Sequence, residues 1–296
     1  MTIAMCYISP EGVVLGADST ASHTAPNGLF HYFNHNQKLF QVGENSTLGM
    51  LTWGLGGLNE TSYRTLIAKL DDDLKKKKPQ SVLQVAERWA ALIWSEYSKE
   101  LSIELARTNV LSGKTPHDPA NPAPGAHMRT KDEEDELSRL LGLYVGFCVA
   151  GYVASDRKPY AYQINVMPTD VTVPTPTALK GNNAFWGAPN LALRLLNGYD
   201  SDLRQGILNS AHWKGTEGDL DAVLATNSLQ IPPLPIRDAV DFAHSCIHST
   251  IKALKFSSLN QICGGPIELA VITTDRPFRW VRHKRWDEAI MEGDLA

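Results

Sequence analysis

Residues 1–19 read Met1-Thr2-Ile3-Ala4-Met5-Cys6-Tyr7-Ile8-Ser9-Pro10-Glu11-Gly12-Val13-Val14-Leu15-Gly16-Ala17-Asp18-Ser19. Two apolar runs, Ile3 to Tyr7 and Val13 to Ala17, flank the turn signal Pro10-Glu11-Gly12, and this spacing predicts a buried β-hairpin. A hairpin of that length returns the chain to its starting edge and brings Asp18 near Thr2. Thr2 is the first candidate for chemistry. Initiator methionine is normally removed before a small residue, and an exposed threonine would carry a nucleophilic hydroxyl and a basic amine on one residue. With an unperturbed pKa of ~7.7–8.0, that amine can take the hydroxyl proton near neutral pH. Met1 is therefore expected to be absent from the active protein.

Working outward, Lys38 opens a third apolar stretch through Val42, and Thr47 to Trp53 reads as a further strand. That strand runs into Gly54-Leu55-Gly56-Gly57 just before a helical pattern. Glycines at a strand-to-helix junction let backbone amides point at a ligand, and helix N-termini favour negative charge.

These residues resemble the proteasome-type β subunits and their bacterial relatives among the N-terminal nucleophile hydrolases. The matching features occur in the family's order: Thr2, the Gly16-Ala17-Asp18-Ser19 block, Lys38 at the start of the next strand pair, and Gly54-x-Gly56 before the first helix. Val149 to Tyr152 followed by Pro159 to Ile164 resembles the family's central hairpin, and Cys263 to Ile272 its late turn and strand. The resemblance implies an α+β fold, a four-layer αββα sandwich of two antiparallel sheets in a single domain spanning 1–296, and a threonine-type peptidase within a self-compartmentalising assembly. It implies Thr2 as nucleophile, Lys38 as the charge that holds down the pKa of the Thr2 amine, Asp18 as the partner of Lys38, and the Gly56 amide as oxyanion donor. Ser19, Asn260, Cys263 and Gly264 would support the site, and Ala21, Gly54 and Leu58 would line the first substrate pocket. A homo-oligomer, ring or helical, and a peptide or unfolded-protein substrate follow from the same resemblance. It leaves any ATPase or adaptor unspecified.

The chain also departs from the family pattern. Asn260-Gln261-Ile262-Cys263-Gly264-Gly265 stands where the family has Asp-x-x-Ser-Gly-Gly. An amide cannot supply the carboxylate's charge, and a thiol is a poor hydroxyl substitute, so the relay around the amine is expected to be weaker. A second family serine meets Trp186-Gly187, and indole cannot shuttle a hydroxyl proton. Two other functions thus remain open: an amidohydrolase of the same fold acting on a small amide, and a scaffold subunit that assembles without cutting.

Composition sets outer bounds. A length of 296 residues with 43% apolar content can bury a substantial core, and a net charge of −4 argues against a nucleic-acid partner. The four cysteines, Cys6, Cys148, Cys246 and Cys263, lack metal-ligand spacing and read as reduced core thiols. No cofactor or metal is expected. With no cationic leader and no long apolar run, a cytoplasmic location is expected and a membrane partner is not.

Apolar residues recur at helical spacing from Val82 to Tyr97 behind Ser81, and from Ile236 to Leu254 behind Pro235. Their outward faces are expected to be apolar enough to make subunit contacts. Leu191 to Leu208 offers a third helical region, interrupted by Gly198 and Gly206. Residues 108–136 read as a surface insertion, with Ser112 to Thr130 a long loop and Lys131 to Glu136 a charged lead-in to the strand at Tyr144.

Overall fold

The computed structural model describes residues 2–24, 30–120, 127–258 and 260–284, so Met1, whose removal the sequence leads one to expect, lies outside the described residues. The chain divides into two compact units. One comprises residues 1–39 and 180–296, the other residues 40–179.

The first unit is built on the opening hairpin. Strands β1 (Ile3–Ser9) and β2 (Gly12–Ala17) pair antiparallel from Ala4 opposite Ala17 to Ser9 opposite Gly12. They form the centre of a five-stranded sheet with β10 (Asn183–Gly187) beside β1, then β11 (Glu268–Thr273) and β12 (Arg276–Arg282) beyond β2. A separate hairpin pairs β3 (Ala21–Thr24) with β4 (Phe30–Phe33). One face of the main sheet carries Ile3, Met5, Tyr7, Val14, Leu269 and Val271, and α8 (Ile236–Phe256) covers it with Ala239, Ala243, Ile247, Ile251 and Leu254. Each large aliphatic side chain buried this way contributes about 1.5–3 kcal/mol. Gly16 permits the close approach. A Cβ there would lie 2.7 Å from the Ile247 side chain and 2.8 Å from that of Leu269.

The third helical region resolves into two short helices, α5 (Asn190–Asn197) and α6 (Ser201–Leu208). Gly198 ends α5 in a left-handed conformation with φ 79°, and the Asp200 side chain caps α6 by accepting from the Leu203 amide. Helix α7 (Glu217–Asn227) follows behind a capping box of Thr216 and Asp219.

The second unit holds another five-stranded sheet, ordered β5 (Leu39–Gln41), β6 (Leu48–Gly54), β7 (Val145–Gly151), β8 (Tyr160–Val166) and β9 (Thr177–Ala178). The expected central hairpin is the antiparallel β7–β8 pair. Helices α1 (Tyr63–Lys76) and α2 (Val82–Glu100) supply its core partners, with Trp89 and Tyr63 meeting Phe147 edge-on at 5.0 and 5.3 Å between ring centroids. Ser81 caps α2 by accepting from the Gln84 amide, as its position predicts.

Helix α3 (Ser102–Ser112) runs into the stretch 108–136 from one side, and Lys131 to Leu141 forms α4 on the other. The charged run is helical because Thr130 and Glu133 close a capping box, and Glu133, Glu134 and Glu136 find cations in Lys114, Arg129 and Arg107. The outward faces of α2 and α8 are more polar than expected. Exposed positions on α2 are Glu87, Ala91, Ser95 and Lys99, and α8 exposes one large apolar side chain, Phe256. Helix α3 exposes two aliphatics, Ile103 and Val110, seven residues apart and so on one face.

Candidate active site

The register of the first hairpin sets Asp18 against Ile3. The Asp18 amide donates to the Ile3 carbonyl at 3.1 Å, and the Ile3 amide donates back to Asp18 Oδ1 at 3.0 Å. Lys38 Nζ donates to the same oxygen at 2.7 Å, while Oδ2 accepts from the amides of Thr20 at 3.2 Å and Gly264 at 2.9 Å. Four donors match the acceptor capacity of an ionised carboxylate. The pair is fully desolvated, with side-chain exposures of 4% for Lys38 and 0% for Asp18. Lys38 Nζ also donates to the Thr20 carbonyl.

Thr2 precedes this knot by one peptide bond and is itself buried. Its carbonyl accepts from the Ala188 amide at 2.7 Å. β10 pairs Gly187 with Ile3, and Gly187 adopts φ 82°. A Cβ at Gly187 would fall 1.9 Å from the Thr2 carbonyl oxygen, so only glycine lets β10 close on the Thr2 backbone. Because Lys38 Nζ and the Ile3 amide share Asp18 Oδ1, the ammonium lies no farther from the Thr2–Ile3 peptide nitrogen than those two bonds laid end to end. Thr2, Asp18 and Lys38 thus gather at the open end of the first hairpin, within one unit.

The supporting residues divide. The Ser19 hydroxyl donates to the Pro266 carbonyl at 2.7 Å and its amide to the Gly264 carbonyl at 2.9 Å, which pins the 263–266 turn to the strand end. Cys263 is fully buried, and burial, with Asp18 as the next cause, pushes its thiol up to about 12. It stays protonated near neutral pH. Asn260 is exposed. Ala21 is half-buried at the start of β3, opposite Phe33. Gly54, Gly56 and Leu58 lie in the other unit, Gly54 as the last residue of β6 and the other two on the segment joining β6 to α1. Gly54 has φ 86°, and a Cβ there would sit 2.4 Å from the Tyr144 carbonyl oxygen.

Residues that sequence reasoning did not single out complete the knot. Thr20 contributes its amide, its carbonyl and a hydroxyl that donates to Asn34 Oδ1 at 2.9 Å. Gln261 packs where a Cβ on Gly264 would come within 2.8 Å of its side-chain nitrogen. Two of the Thr20 contacts use backbone atoms, which residue type does not report. Among the described residues no group of three or more His, Cys, Asp or Glu side chains could hold a metal ion, and no helix is long and apolar enough to cross a membrane.

No protein-family model and no curated protein matches the chain. Among solved structures, it is similar to an Anbu (Gly-1) mutant from Hyphomicrobium sp. strain MC1, with TM-score 0.51 at 12% identity over 98% of this chain and 91% of that one. It is also similar to Anbu, described as an ancestral beta-subunit, from Yersinia bercovieri, with TM-score 0.49 at 10% identity over 99% and 96% of the two chains. The first likeness shows the fold. With two antiparallel sheets that each carry helices, the chain has the α+β, proteasome-like N-terminal-nucleophile fold that its sequence leads one to expect.

Proposed function

We propose that the chain is a threonine-type hydrolase, a peptidase acting from Thr2 on peptide or unfolded-protein substrates. The observation that carries this reading is the buried Lys38–Asp18 pair whose shared oxygen also binds the amide next to Thr2. A desolvated ion pair is expensive to build for stability alone. In this reading Met1 is removed, and the Thr2 hydroxyl attacks the substrate carbonyl as its proton passes to the Thr2 amine, directly or through a water. An Oγ–carbon bond forms, the carbon–nitrogen bond breaks, and the amine returns the proton to the departing amine. Water then cleaves the ester by the same route in reverse. Lys38 lowers the basicity of the amine by like charge, and Asp18 fixes Lys38.

A homo-oligomer fits the exposed face of α3 and the hazard of an unsheltered nucleophile, and a cytoplasmic setting fits four buried cysteines that form no disulfide. Hydrolysis of a small amide would use the same Thr2, Asp18 and Lys38, and a panel of peptide and small-amide substrates separates the two. The scaffold reading is favoured by one observation. Protonated Cys263 and exposed Asn260 leave two family positions without a relay. Intact-mass detection of an acyl group on Thr2, absent after Thr2→Ala, supports the hydrolase; no adduct and no turnover supports the scaffold.

A further inference from the structure

A second charged cluster braces the segment that delivers Lys38. Glu268 opens β11 opposite Ala17, the residue before Asp18, and its side chain is fully buried. Lys284 Nζ stands 3.1 Å from Glu268 Oε2, and His283 Nδ1 stands 2.7 Å from Oε1. Neither approach is aligned as a hydrogen bond to the carboxylate. Lys284 donates aligned hydrogen bonds to the carbonyls of Asn36 at 2.8 Å and His35 at 3.2 Å. A buried carboxylate thus holds a lysine whose protons grip the two residues beginning three positions before Lys38.

The β-sheet explains how Lys284 gets there. Leu269 pairs with Arg282 but Ala270 pairs with Trp280, so Val281 is an extra residue in β12. Such a bulge bends a strand and re-aims the residues beyond it. His283 stacks on Trp280 at 4.1 Å between ring centroids, and Lys284 reaches the 35–36 carbonyls. The same short segment is fastened on its other sides: the Asn36 amide donates to the Ser19 carbonyl at 3.0 Å, and Asn34 accepts from Thr20. Gly265, at φ 69°, leaves room for the Asn34 carbonyl, which a Cβ would meet at 2.5 Å.

We propose that Glu268 and Lys284 are positioning residues for Lys38: the pair clamps the His35 and Asn36 carbonyls and so fixes the point from which Lys38 reaches Asp18 and the Thr2 amine. This rests on the threonine-nucleophile reading. Neither residue touches the reacting atoms. Their effect passes through the 34–38 segment to the charge of Lys38.

The test compares the unsubstituted chain with Lys284→Met, Lys284→Arg and Glu268→Gln. An electrophilic acyl probe is used, with the rate of Thr2 labelling measured against pH and hydrogen exchange measured at the Asn36 and Ile3 amides. The expected result for Lys284→Met is about tenfold slower labelling at neutral pH, with the base limb moved up by roughly half to one pH unit as the amine returns toward its ordinary basicity. Probe affinity should be unchanged and exchange at Asn36 faster. Lys284→Arg should restore most of the rate, and Glu268→Gln should reproduce the Met effect if Lys284→Met fails to fold. Labelling of Lys284→Met with the unsubstituted rate and pH profile overturns this inference alone. Failure of the unsubstituted chain to label at Thr2 overturns the hydrolase reading and this inference with it.

Discussion

Asp18 and Ile3 hold each other by two hydrogen bonds, one through the Asp18 amide and one through its carboxylate, at 3.1 and 3.0 Å. The second of these makes the orientation of the Thr2–Ile3 peptide depend on the same oxygen that binds Lys38. One carboxylate thus ties the peptide after Thr2 to the Lys38 ammonium.

Asp18→Ala should therefore damage fold and chemistry together. It leaves the Lys38 ammonium buried without a counter-charge and unpairs three amides, for a destabilisation of about 3–5 kcal/mol. At roughly 2–4 °C per kcal/mol for a chain of this class, calorimetry should read a fall in Tm on the order of 10 °C. Adding Lys38→Met should recover part of the loss, and strict additivity of the two substitutions would contradict the pairing.

Gly187→Ala tests the clasp on the Thr2 backbone. The new Cβ must displace the Thr2 carbonyl and strain a left-handed residue, so a loss of about 1–3 kcal/mol and a much larger fractional loss of turnover are expected. Unchanged turnover would show that the Thr2 main chain has freedom the account denies it.

Much of this geometry is legible in the sequence. The hairpin follows from two apolar runs and a turn signal, and it alone carries Asp18 back to the start of the chain. Lys38 is legible from its order relative to that hairpin. Thr20 and Lys284 are not, because Thr20 serves partly through backbone atoms and Lys284 arrives through a bulge that no alternation pattern encodes. The charged run at 131–136 misleads for a different reason. It reads as a lead-in to the strand at Tyr144 until Arg107, Lys114 and Arg129 are seen beside its acids.

Cys263 gives a prediction about alkaline pH. Its thiol is raised from an ordinary value near 9 to about 12, chiefly by burial, so the folded chain keeps a proton that the unfolded chain gives up. Stability from this source is complete below about pH 9 and is lost as pH rises toward 12, because the unfolded state there binds fewer protons. Cys263→Ala should flatten the alkaline decline in a denaturant titration. Rapid alkylation of native Cys263 at pH 8 would contradict its burial.

Assembly is expected to use the face of α3 that exposes Ile103 and Val110. Light scattering should find a species larger than one chain at micromolar concentration, and Ile103→Glu with Val110→Glu should shift it to smaller mass. A stable, fully active monomer across dilution would refute the proposed assembly.

The most direct test of the central claim is the N-terminal peptide of the active protein, mapped by mass spectrometry after reaction with an electrophilic acyl probe. The account predicts a chain that begins at Thr2, carries the added mass on that residue, and loses both adduct and hydrolysis in Thr2→Ala. Hydrolysis by a preparation that retains Met1, or by Thr2→Ala at the unsubstituted rate, would contradict it.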